Sequence, residues 1–157
     1  AISAGPYFSL NPSISLVVAC RTGEEVDALY HALSNGGTDL MPLGEYPFSP
    51  HYAWVQDRYG LTWQLMLVQG AMPEQKITPH LLFAGAANGK ATQAVQFYQD
   101  VFRTEDAGHT NQEAAAEQDS KATPLHFRLL GQPFSAMDHG FDADFEFLPD
   151  HEGCKGG

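Results

Sequence analysis

Positive charge is scarce in this chain. Eight Lys and Arg stand against 19 Asp and Glu, giving a net charge of −11. Nucleic acid requires cationic side chains clustered on one face, and so does an anionic membrane surface. Neither is expected as a partner, and the acidity reads as a contribution to solubility. Cysteine is almost absent: Cys20 and Cys154 form no disulfide framework. Cys20 ends an apolar strand, where plain burial explains it. No apolar run is long enough to span a bilayer. The opening residues "AISAGPYFSL" lack the basic start and long apolar stretch of a signal peptide. A cytoplasmic location is the expectation. Catalytic constellations are missing as well. No Ser–His–acid spacing, activated cysteine or carboxylate pair is recognisable.

What is present is an ordinary globular composition. Hydrophobic residues make up 43% of 157, enough for one domain with a real core. "ISLVVAC" (Ile14 to Cys20) reads as a strand. "TGEEVDALYHALSNGG" follows as a helix, with Thr22 as cap and Glu25 returning the bond in a capping box. Val26, Leu29, Tyr30 and Leu33 form its apolar stripe, and Gly36 and Gly37 stop it. "TDLMPL" is a short strand before a hairpin. The second half repeats this order. "ITPHLLFAG" is a strand and "NGKATQAVQFYQDVF" a helix capped at Asn88, with Ala91, Ala94, Val95, Tyr98, Val101 and Phe102 on one face. A short strand is expected near 104–110, then a polar excursion over "NQEAAAEQDSK". "PLHFRLL" and "QPFSAM" form a hairpin around Gly131. "FDADFEF", with Asp142, Asp144 and Glu146 on one side, reads as a solvated edge.

The stretch "HYAWVQDRYGLTWQLML" places one polar residue, Gln64, in a very apolar strand. Asp57 and Gly60 supply the turn that makes this an antiparallel hairpin. Alternation puts Trp63, Leu65 and Leu67 on one face and Thr62, Gln64 and Met66 on the other. The first face looks like core. The second suits either solvent or a ligand. Of the seven histidines, His31, His51, His109, His126, His139 and His151 read as solvated or locally bonded. His80 differs, because it lies inside an apolar strand; a core histidine and a pocket histidine are both open.

"MPLGEYPFSPHYAWVQDRYGLTWQLML" resembles the closing stretch of PhnB-like proteins. "NPSISLVVACRTGEEVDALYHALSNGG" and "KITPHLLFAGAANGKATQAVQFYQDVF" are similar to the same branch. That branch belongs to the glyoxalase/bleomycin-resistance/extradiol dioxygenase (vicinal oxygen chelate) superfamily. The resemblance implies an α+β fold in which two βαβββ modules pair into a curved open barrel around a pocket. The modules fall at about 1–70 and 76–148, with a tail over 149–157. Family members run in the opposite module order, so the chain reads either as a permuted arrangement or as a slice of a tandem protein. The meeting of the "NPSISL" and "ITPHLL" strands is then expected to be completed between chains, in a homodimer.

Superfamily enzymes hold a divalent metal at four strand positions. The resemblance places Ser15, Gln64, His80 and Ser135 there, with Gln64 where metal-binding members carry glutamate. One imidazole, one amide and two hydroxyls carry no negative charge, so no metal and no other cofactor is expected. Gln64 and His80 become polar contacts for a small molecule, with Trp54 or Trp63 as apolar surface. The branch is often labelled 3-demethylubiquinone 3-methyltransferase. An S-adenosylmethionine site normally needs a glycine-rich turn after a strand of a parallel αβα sheet, and "AGAANG" reads better as a strand–helix connection. Two readings follow: a metal-free small-molecule binding module, and a metal-dependent lyase, isomerase or dioxygenase of the superfamily.

Overall fold

The computed structural model describes residues 10–102 and 124–139. The strand expected near 104–110, the excursion at 111–121, the "FDADFEF" segment, Cys154 and the tail lie outside them.

The first module runs β1 (Ile14–Cys20), α1 (Gly23–Ser34), β2 (Thr38–Tyr46), β3 (Ser49–Gln56) and β4 (Thr62–Leu67). The second runs β5 (Ile77–Phe83), a 3-10 turn (Gly85–Ala87), α2 (Ala91–Phe102), β6 (Leu125–Leu129) and β7 (Gln132–Asp138). All seven described strands form one mixed, open sheet in the order β2-β3-β4-β1-β5-β7-β6. The fold is therefore α+β. β1 pairs in parallel with β4, and β5 in parallel with β7. At the centre β1 and β5 run antiparallel, with Ser15 opposite His80. This seam is closed within the chain, so it gives no reason for the exchange between chains expected from the sequence.

Both helices cover the same face of the sheet. Val18, Cys20, Leu65 and Trp63 pack with Val26, Leu29 and Leu33 of α1. Phe127, Ala136, Leu81 and Phe83 pack with Val95 and Tyr98 of α2. Cys20 is wholly buried, as its apolar strand suggests. The opposite face carries Tyr52, Trp54, Met66, Leu82 and Met137 in one cluster. Trp54 and Leu82 are three strand spacings apart and four residues offset along the strands, roughly 19 Å on a flat sheet. Their shared cluster requires the sheet to curl toward them, which makes this face concave.

Several local details differ from the sequence reading. β2 is longer than "TDLMPL", because Tyr46 pairs with Ser49 across a hairpin interrupted by three register shifts. Pro42 sits in this outer strand, the place in a sheet where a missing N–H is tolerated. Thr22 caps α1 by accepting from Glu25 N at 3.3 Å, but Glu25 returns its bond to Arg21 N at 2.8 Å, one residue upstream of the cap. The other Glu25 oxygen pairs with Lys76, just before β5. Asn88 does not cap α2. Instead Asp138, at the end of β7, accepts from Gly89 N at 2.7 Å and Ala91 N at 3.2 Å. Val101 and Phe102, expected on the buried stripe, are exposed at the C-terminal end of α2, and Gln99 is buried in their place. Gly37 has a steric reason: a Cβ there would lie 2.2 Å from Gln56 O. Among the described residues no helix is long and apolar enough to cross a membrane.

Candidate functional site

Strand alternation fixes which side chains reach the concave face. On β1 the residues facing α1 are Val18 and Cys20, so Ser15 points the other way. On β4, Leu65 faces the helix and Gln64 does not. On β5, Leu81 packs with α2 while Leu82 joins the concave cluster, and His80 shares the side of Leu82. Ser135 on β7 alternates with Ala136, which lies against α2. The register then lines these positions up: Ser15 opposite His80, and His80 opposite Ser135. Ser15, Gln64, His80 and Ser135 thus share one face across four adjacent strands. Trp54 on β3 joins them directly beside Gln64. Trp63, offered by the sequence as the other aromatic surface, sits on the helix face, and its indole N–H donates to Asp57 Oδ2 at 2.9 Å.

Gln64, the polar residue of an apolar strand, is held by hydrogen bonds at both ends. Its Oε1 accepts from the Tyr52 hydroxyl at 2.9 Å, and its Nε2 donates to Ser15 Oγ at 2.7 Å. Burial pushes the Tyr52 phenol well above its ordinary range, so it remains a protonated donor. Tyr52 is the member of this array that the sequence reading missed. Its signal was available, since it lies two residues before Trp54 on a strand of period two. His80 Nδ1 lies 2.8 Å from Ser135 Oγ. Burial, aided by nearby His126, lowers the His80 pKa to about 4, so the ring is neutral at pH 7. His126 itself is exposed on β6 and pairs with Ser135 in the strand register.

Among the described residues, two buried polar atoms on this face have no partner: Trp54 Nε1 and His80 Nε2. Each costs about 1–3 kcal/mol when left unsatisfied away from water. The array is largely buried but stays partly open at Gln64, which is half-buried, as are Met66 and Met137 on the same face. Ser15 is 0%, His80 3% and Ser135 4% exposed. A cleft of about 540 Å³ opens to one side, at the β2–β3 hairpin, and none of the four positions lines it. Its walls include Tyr46 and Phe48, whose rings pack on Tyr52 with centroids 5.5 and 4.9 Å away. The cleft and the polar array therefore meet at Tyr52.

The donor set does not fit a divalent metal. It is neutral, and both ends of the Gln64 amide are already engaged. Among the described residues no cluster of three His, Cys, Asp or Glu is placed to hold an ion. Nor do the residues fit an S-adenosylmethionine site. The glycine-rich stretch before α2 spends the amides of Gly89 and Ala91 on the Asp138 carboxylate. It lies beside a mixed sheet rather than a parallel one.

An open α+β sheet with two helices on one face and a polar array on the other defines the class. The family model described as 3-demethylubiquinone-9 3-methyltransferase matches residues 1–66 and 75–150, and the chain belongs to that family. No curated protein matches. Among solved structures, the chain is similar to one provisionally described as a 3-demethylubiquinone-9 3-methyltransferase, PhnB protein, from Bacillus cereus. The identity is 48% over 40% of this chain and 48% of that one, with a TM-score of 0.39. A protein from Staphylococcus aureus is 36% identical over 35% of this chain and 47% of its own, TM-score 0.34. This chain therefore spans about half the length of those relatives. A glyoxalase/bleomycin resistance protein/dioxygenase superfamily member from Vibrio splendidus 12B01 is 9% identical over 80% of this chain and 97% of its own, TM-score 0.48.

Proposed function

We propose that the concave face is a metal-free small-molecule binding site of the glyoxalase/bleomycin-resistance kind. The observation that carries this reading is the engagement of both ends of the neutral Gln64 amide. Where metal-binding relatives are expected to carry a glutamate, this chain has an amide held by Tyr52 and Ser15. A side chain bonded at both ends positions its neighbours, and a neutral amide oxygen already accepting one bond is a weak ligand for a divalent ion. Methyl transfer, which the family description names, finds no support in the amides and glycines before α2. The homodimer expected from the sequence remains part of the proposal, with β2 or β6 as its edge rather than the β1–β5 seam.

The test is a thermal-shift series with Zn²⁺, Ni²⁺ and Mn²⁺ on the chelator-free protein. No stabilisation is expected. The second reading, a metal-dependent lyase, isomerase or dioxygenase, draws on one observation: His80 Nε2 is buried and unpartnered, as a metal ligand's nitrogen is before loading. A clear shift in the wild type that disappears in His80→Ala puts that reading first.

A further inference from the structure

Two atoms of the concave face hold unspent hydrogen-bonding capacity, and they are not of the same kind. Trp54 Nε1 only donates. His80 Nε2 donates or accepts according to which ring nitrogen carries the proton, and the Ser135 hydroxyl at Nδ1 accommodates either tautomer. Both residues are at least nine-tenths buried, and both sit in or beside the apolar cluster of Tyr52, Leu82, Met66 and Met137. Their other neighbours on this face, Gln64, Ser15, Ser135 and Tyr52, are all uncharged, and desolvation shifts His126, beside Ser135, toward its neutral form. Nothing in the array offers a countercharge to an ionised ligand, and burying an unpaired charge there is strongly unfavourable.

Resting on the small-molecule reading above, we propose that this face selects an uncharged, ring-bearing ligand whose carbonyl or ether oxygen accepts from Trp54 Nε1–H, with His80 Nε2 as the second polar contact. The cluster supplies the apolar and aromatic surface for the ring. The Trp54 indole supplies direction, because a donor without a partner in a dry site discriminates an oxygen acceptor from a hydrocarbon of equal shape. Neutral imidazole and amide groups supply the discrimination against charge.

Four probes sharing one ring separate these features: acetophenone, toluene, benzoate and benzylammonium, each titrated into the full ¹⁵N-labelled chain. The readout is the pair of indole N–H resonances, assigned with Trp54→Phe. The Trp63 signal is a built-in control, because Asp57 already holds that N–H. Acetophenone is expected to move the Trp54 resonance downfield and leave that of Trp63 in place. Toluene is expected to bind about tenfold more weakly, the worth of one ordinary hydrogen bond. In Trp54→Phe the difference between acetophenone and toluene should vanish. The charged probes should leave both signals unmoved at the same concentration. Equal or tighter binding of benzoate or benzylammonium overturns the neutral-ligand inference. Equal binding of toluene and acetophenone in the wild type overturns the role of Trp54. Silence of all four probes at millimolar concentration overturns the proposal as a whole. The wild-type spectra decide even where the variant fails to fold. A metal-induced thermal shift sinks the metal-free reading instead, so the two failures are told apart.

Discussion

Gln64 lies on the last strand of the first module and His80 on the first strand of the second; both face the same concave side, yet their bonding differs. Gln64 is satisfied at both ends, by Tyr52 and Ser15. His80 is satisfied at Nδ1 alone, by Ser135. The first module also closes its turns with side chains suited to them. Asp57 accepts from Tyr59 N and Leu61 N, and Gly60 takes the positive φ of 89°. The second module turns from β6 to β7 through Leu130 and Gly131, both at positive φ. Each half carries one unpartnered buried atom on the shared face, Trp54 Nε1 and His80 Nε2, and the second adds a non-glycine residue at positive φ. A local conflict of this kind is expected where function constrains the residue, and His80 fits that expectation.

The comparison breaks first if the halves are independent. The β1–β5 ladder joins them, so they should unfold together. Leu65, wholly buried against α1, and Phe127, 4% exposed against α2, are the matching probes. Leu65→Ala and Phe127→Ala should each cost about 3–4 kcal/mol. Both Trp54 and Trp63 lie in the first module, so the Phe127→Ala midpoint by tryptophan fluorescence tests transmission across the seam. It should fall together with the midpoint by far-ultraviolet circular dichroism. A fluorescence transition left at its wild-type position, while circular dichroism splits in two, would show two separate units.

The polar positions can next be made alike. Gln64→Glu alone adds one carboxylate near His80 and should gain little metal affinity, since both serines remain poor ligands. Gln64→Glu with Ser135→Glu supplies two carboxylates and one imidazole across adjacent strands. That double variant should be stabilised by Zn²⁺ by about 3–4 kcal/mol at 100- to 1,000-fold excess over its dissociation constant. An equal response from Gln64→Glu alone would mean that the serines contribute more than their chemistry allows.

The asymmetry also predicts a pH dependence lodged in the second module. His80 titrates near 4 when folded and near 6.5 when unfolded, so the unfolded chain binds the proton first. Stability is therefore full above about pH 6.5 and declines as pH falls, levelling off below about 4. The loss amounts to about 3 kcal/mol from this group. Urea midpoints measured from pH 7 down to 4 should show the slope, and His80→Gln should flatten it. An unchanged slope in His80→Gln would assign the effect to other groups.

Much of this was legible in the sequence because it is local. The span of β1, the Thr22 cap, the Asp57–Gly60 turn and the two faces of β4 each follow from residues within a few positions of one another. Alternation placed Gln64 opposite the Leu65 face. The resemblance to PhnB-like proteins paired it with Ser15, His80 and Ser135, which no spacing rule could do across 120 residues. The errors concern partners distant along the chain. Asn88 is a reasonable cap by propensity, but the Asp138 carboxylate reaches the same amides from β7. Val101 and Phe102 fit the helical stripe, yet both are exposed and Gln99 is buried in their place. The β1–β5 seam was open on paper because the order of the modules says nothing about which chain supplies the partner strand. The four positions were expected to face one concave space. How deeply Ser15, His80 and Ser135 are buried there follows from Tyr52, Trp54, Leu82 and Met137 packing across the curl of the sheet, and curl is a property of the whole.

The smallest test concerns the two turns. Leu130 has φ 49° and is 76% exposed, so its side chain gains little from burial while its backbone sits in the left-handed region. A non-glycine residue there costs on the order of 1 kcal/mol, and asparagine tolerates the region better than leucine. Two consecutive positive-φ residues make a two-residue hairpin turn, for which Asn-Gly is a preferred pair. Leu130→Asn should therefore stabilise the protein by about 0.5–1 kcal/mol, read as a higher urea midpoint with an unchanged slope. Gly60→Ala in the first module should do the reverse, because it places a Cβ at φ 89°. If Leu130→Asn instead destabilises, the leucine side chain has a partner that its exposure conceals, and the β6–β7 turn is not strained at all.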